Sequence, residues 1–162
     1  MLNNVEIAGK QQVAAEFAAR FADKIELIEN TDSEYMVQAE VLLPAAEYLL
    51  SAGYEFLADI TAVDYLAEGK FRLIYQVGNY QNGDLITLKV EISREEPQVN
   101  SLCAVWKAAN WLEREVYDMF GIEFAGHPDL RRILMWDGFE GWPLRKDFVH
   151  QPTKYQGRRR LD

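Results

Sequence analysis

The stretch from Glu113 to Phe148 constrains this chain more than any other. It crowds charged residues, glycines, prolines and large apolar side chains together, with little regular periodicity after Phe124. A segment both irregular and rich in aromatics carries too much apolar surface for an ordinary solvated loop. It has to be pinned, either to its own domain or to a partner.

The element that leads into it has the clearest period in the chain. Between about Ser101 and Phe120, the residues Leu102, Val105, Ala109, Leu112, Val116, Met119 and Phe120 share one stripe at helical spacing. Cys103, Lys107, Asn110, Arg114 and Asp118 fall on the other side, and Gly121 is a fitting C-terminal stop. Further upstream, apolar spacing predicts a helix over Lys10–Ala22, then short strands over Lys24–Glu29 and Tyr35–Leu42. Pro44 suits the first turn of a second helix that runs to about Ser51 and stops at Gly53. Three further strands are predicted, Tyr54–Leu66, Phe71–Tyr80 and Leu85–Ile92, the last two joined through the hairpin signal Asn82-Gly83. Runs of hairpin strands with separate helices give an α+β two-layer sandwich with helices on one face. The expected division is an α+β domain over 1–124 and an extended C-terminal interaction arm over 125–162.

At 162 residues the chain has the length of one domain. Its single cysteine, Cys103, excludes an internal disulfide, a four-cysteine zinc site and an iron–sulfur cluster held by this chain alone. His127 and His150 are the only histidines, too few for a multi-histidine metal site. No Gly-rich phosphate loop and no Gly-x-Ser-x-Gly elbow occur, so no cofactor is expected in this chain. No apolar run approaches the roughly 20 residues of a membrane span. The first ten residues lack the basic start and apolar core of a secretory signal, which predicts a protein kept inside the cell or an organelle. The charge is lopsided: residues 1–100 hold 17 acidic and 7 basic residues, whereas 127–162 hold 8 basic and 5 acidic. An acidic body with a basic, aromatic end suggests two different surroundings. The acidic body disfavours nucleic acid and lipid headgroups as partners, and Arg158-Arg159-Arg160 alone is a weak nucleic-acid patch.

Glu113 lies at the edge of the apolar stripe, which predicts a half-buried carboxylate in need of a charge partner. Arg131, Arg132 and Arg145 are the available forks, and the expectation is a clamp between helix and arm. A second reading pairs Glu113 or Asp118 with His127 as a general acid–base couple. Trp136, Phe139, Trp142, Leu144 and Phe148 supply anchors of the kind found in interface hot spots.

Glu113, Arg114, Glu115 and Asp118, followed by His127, Arg131, Ile133 and Leu134, resemble the signature of the C-type subunit of NADH-quinone oxidoreductase, respiratory complex I. In that family it is the small partner of the quinone-site subunit. Gly141 to Phe148, with Trp142, Arg145, Lys146 and Asp147, resembles the family's second block, and Asp59 to Asp64 is similar to its first hairpin region. The resemblance implies a mixed, mainly antiparallel five-stranded sheet. It also implies a cofactor-free scaffold subunit of a proton-translocating complex. Its partners would be the quinone-site subunit (the D-type) and the nearby cluster-bearing subunits (the B-type and I-type). Iron–sulfur clusters, flavin and quinone sites would lie on other subunits, as would the choice of donor among NADH, NADPH, F420 and ferredoxin. The implied place is peripheral to an inner, plasma or thylakoid membrane, on its cytoplasmic or stromal side. No catalytic or metal residues are implied. The interface and clamp residues would be Glu113, Arg114, Glu115, Asp118, His127, Arg131, Arg132, Trp142, Arg145, Lys146 and Asp147. The equivalent subunit of a related membrane-bound hydrogenase is the alternative.

Overall fold

The computed structural model describes residues 16–149 apart from Ala18 and Ala22. Most of the helix predicted over Lys10–Ala22 therefore lies outside the described residues, as do His150 and the three terminal arginines. What is described of that helix contributes Phe17, fully buried against Tyr35 and Tyr48.

Three long strands build the body. β3 (Phe56–Tyr65), β4 (Lys70–Gly78) and β5 (Leu85–Ser93) form an antiparallel meander, and the period-2 pattern of the sequence dictates which face is covered. Phe71, Leu73, Tyr75 and Val77 of β4 are fully buried, as are Leu88 and Val90 of β5, while the alternate positions are more open. The short strands β1 (Ile25–Leu27) and β2 (Glu34–Val37) extend the sheet, giving the order β1-β2-β5-β4-β3. Only the β2–β5 pair is parallel, with Tyr35 opposite Leu88. This is a mixed, mainly antiparallel five-stranded sheet with helices against its apolar face.

β2 ends at Val37, short of the predicted Leu42. Ala39–Val41 form a 3-10 turn, and Leu42 opens helix α1 (Leu42–Ser51). The reason is periodic: Leu42, Ala45, Ala46 and Leu49 are buried at helical spacing, so Leu42 belongs to the helix stripe. Helix α2 spans Ala109–Phe120, eight residues shorter at its start than the predicted Ser101. Ser101 to Ala108 instead fold as turns, because the Ser101 hydroxyl and the Leu102 amide both donate to the Glu113 carboxylate (2.6 Å each). In one continuous helix these groups would lie roughly 16 Å along the axis from Glu113, so the contacts require the chain to turn back. Leu102 and Trp106 still reach the core, and Trp106 Nε1 donates to the Tyr54 carbonyl (3.1 Å).

Two strands go beyond those the sequence predicts. β6 (Gln98–Asn100) pairs in parallel with β7 (Glu123–Ala125), tying together the chain on either side of α2. From Gly126 to Val149 no helix or strand forms, and this arm lies back along α2.

Candidate interaction face and the clamps beneath it

Two carboxylates on α2 organise the site. Glu113 is fully buried rather than half-buried, and none of the three expected arginines reaches it. Its partners are the Ser101 hydroxyl, the Leu102 amide and, more distantly, the Cys103 thiol (3.5 Å). Burial pushes its carboxyl pKa up, against the pull of those donors. The Cys103 thiol is pushed up to about 11, chiefly by burial, which disfavours the nucleophilic thiolate.

Helical periodicity puts Asp118 on the solvent side of the helix. It is fully buried instead, because the arm folds back over that side. Its Oδ2 accepts three successive backbone amides, Ile133 (2.9 Å), Leu134 (2.6 Å) and Met135 (2.8 Å), and its Oδ1 takes Arg132 (2.7 Å). Burial alone would raise this carboxyl pKa, but the three amides and Arg132 outweigh it and hold it low. Arg114, expected on the same solvent side, is buried too and donates to the carbonyls of Arg131 and Arg132. Arg132 continues to the Gly141 carbonyl (2.9 Å), with its guanidinium over the Trp142 ring. One short stretch of helix thus holds the C=O groups of residues 131–132 and the N–H groups of residues 133–135.

A second clamp joins the end of the arm to the sheet. Asp64 of β3 accepts the Lys146 amide (2.9 Å) and Arg94 (3.0 Å), and Arg94 also bonds Asp147. Arg145 donates to the Phe120 carbonyl, with its guanidinium near the Phe71 and Trp142 rings. Trp142 packs on the Cα of Gly121, whose φ of 69° is the left-handed stop of α2. A side chain there would collide with the indole.

Sequence reasoning does not single out Arg94, Ser101 or Trp111, and it names Asp64 only as the end of the Asp59–Asp64 stretch. Asp64 leaves a trace: it shares the inward parity of Ile60 and Ala62 along β3, and a charge at an inward position needs a partner. Glu115 and Arg131, both expected at the interface, are exposed.

His127 does not meet Asp118. Cys103, Glu113 and His127 do bring possible ligand atoms within 4.8 Å of one another, the one such group among the described residues. The imidazole, however, is already engaged at both nitrogens. The Asp129 amide donates to Nδ1 (3.0 Å), so Nε2 carries the proton and donates to the Asn110 carbonyl (3.0 Å). That tautomer leaves the ring no lone pair for a metal or for a proton from substrate.

The clamps leave large apolar groups facing outward: Leu134, Trp136 and Leu144 are each more than half exposed, and Val149 more so. No helix among the described residues is long and apolar enough to cross a membrane.

Residues 35–154 match the family described as the respiratory-chain NADH dehydrogenase 30 kDa subunit. The chain is 36% identical over 160 residues to the C-type subunit of NADH-quinone oxidoreductase from Geotalea uraniireducens, covering 94% of this chain and 98% of that one. It is 43% identical to the corresponding subunit of Moorella thermoacetica over 131 residues, or 80% of this chain and 88% of that one. Among solved structures, it is similar to a trypsin-resistant fragment of Nqo5, with TM-score 0.63 and 30% identity over 75% of this chain and 99% of that one. A chain of an archaeal membrane-bound sulfane sulfur reductase shares the fold, with TM-score 0.77 and 24% identity over 93% of this chain and 94% of that one. The chain therefore belongs to the 30 kDa subunit family of respiratory NADH dehydrogenase, the C-type subunits of NADH-quinone oxidoreductases.

Proposed function

We propose that this chain is a scaffold subunit in the peripheral arm of a proton-translocating, complex I type quinone oxidoreductase. It carries no electron-transferring group and docks through its C-terminal arm on the quinone-site subunit, beside the cluster-bearing subunits. The complex would sit at an energy-converting membrane, with this chain on the cytoplasmic or stromal side. One observation carries the reading: the arm is clamped from beneath by Asp118, Arg114 and Asp64 while it turns Leu134, Trp136 and Leu144 to solvent. A solvated tail would have no use for buried carboxylates, and an apolar surface held rigid matches an interface core. Electron donor and acceptor would be set on other chains.

The test is to tag the chain at its N-terminus, isolate it in mild detergent from its own cells and identify what travels with it. Recovery with a quinone-site subunit, cluster proteins and membrane subunits is expected. Replacing Trp136 and Leu144 together by alanine should release the chain from that assembly while leaving it folded. Recovery as a lone protein from cells whose complex is intact would overturn the proposal.

A further inference from the structure

Trp111 is the one large apolar side chain of α2 that the fold leaves outside. It is 62% exposed, on a helix whose other large apolar residues pack inward. The ring is nonetheless held. The Arg114 guanidinium lies over it, 5.2 Å from the centroid, and donates to the carbonyls of Arg131 (3.1 Å) and Arg132 (3.2 Å). A single side chain therefore joins the indole to the backbone just ahead of Leu134. Asp118 holds the amides of residues 133–135 from the same helix, so the backbone that carries Leu134 and leads into Trp136 is tied to the helix that carries Trp111.

We infer that Trp111, Leu134 and Trp136 form one composite docking face, occupied by the same partner that receives the arm. The inference rests on the proposed function and adds the helix to its contact surface. Continuity supplies the occupant: a subunit lying over residues 131–136 meets the ring that Arg114 ties to that backbone. Charge refines the occupant's chemistry. Arg131, with 70% of its side chain exposed, stands beside this face in an ion pair with Asp129, so the rim carries charge of both signs. The face thus fits an apolar concavity with a polar rim. Tryptophan surrounded by arginine is also the side-chain make-up that concentrates binding energy at interfaces.

The experiment places a benzophenone photo-crosslinking amino acid at position 111 or 136 of the full chain and irradiates the isolated, assembled complex. Crosslinks from both positions to the same foreign polypeptide are expected. A crosslink from 136 alone, or from the two positions to different subunits, overturns the composite face and leaves the docking arm standing. A crosslink from 111 back to residues 1–15 or 150–162 of this chain overturns it as well. Crosslinks from neither position overturn both readings. In the same complex, Trp111→Ala should lower the affinity for the partner by about 30-fold, and Trp111→Phe should recover most of it. A change of less than about twofold would show that the ring is a bystander.

Discussion

The body and the arm are held by different physics. In the body, strand alternation sends Phe71, Leu73, Tyr75 and Val77 into one apolar layer, and stability follows the area removed from water. The arm has no regular element from Gly126 to Val149, and its order comes from charged groups that grip backbone amides and carbonyls. The dependence runs one way, because every grip is anchored in the body. Losing the body must release the arm, while the arm can open over an intact body. Leu73→Ala, in the middle of β4, should produce the largest loss, about 3–5 kcal/mol. Urea unfolding followed by far-ultraviolet circular dichroism and by tryptophan fluorescence should show one shifted transition. A fluorescence transition that outlasts the loss of the far-ultraviolet signal would mean that the arm stands independently.

Asp118→Asn tests the reverse direction. It keeps the volume, removes the charge facing Arg132 and weakens three amide bonds, at a cost of about 2 kcal/mol. Hydrogen exchange at the amides of Ile133, Leu134 and Met135 should accelerate strongly, while Leu73 and Leu88 remain protected. Equal acceleration in both regions would erase the distinction between them. Gly121→Ala should act more mildly, at about 1–2 kcal/mol. It forces a non-glycine residue to a φ of 69° and pushes Trp142 off the helix end. The change should appear as a shifted indole emission. An unaltered spectrum would mean that Trp142 does not rest there in solution.

The same contrast explains what the sequence could tell. β3, β4 and β5 are legible because their period of two is enforced by a single buried face. The sequence over-extends α2 because Leu102 and Val105 happen to match the helical stripe, although Leu102 reaches the core from a turn. β6 and β7, at three residues each, are too short to show any period. Periodicity puts Asp118 and Arg114 on the solvent side because it describes one helix and is blind to a segment that folds back on it. The residues of the clamps are largely visible in the sequence, but their pairing is not. Glu113 is expected to meet arginine, which in fact goes to Asp118, and finds Ser101 and Leu102 instead. That choice depends on which backbone amides lie free nearby, a property of tertiary path alone.

Glu113 and Asp118 give the smallest prediction and the sharpest form of the comparison. They are five residues apart on one helix, yet burial raises the carboxyl pKa of Glu113 while the arm's amides and Arg132, against burial, lower that of Asp118. The raised group takes up its proton in the folded state first. As pH falls through its folded pKa toward about 4.3, the unfolded value, Glu113 adds stability, and that contribution is lost as pH rises. The lowered group does the opposite. Its stabilisation is complete above about 3.9, its unfolded value, and disappears as pH falls through the folded pKa. Urea stability should therefore be measured across the acid range for the wild type, Glu113→Gln and Asp118→Asn. The wild-type advantage over Glu113→Gln should grow as pH drops from neutrality, and its advantage over Asp118→Asn should shrink once pH passes below about 4. Opposite slopes would show that the two acids belong to different electrostatic regimes, one facing the body and one facing the arm. Slopes of the same sign would mean that the arm does not close over Asp118, and the clamp beneath the docking face would fall with it.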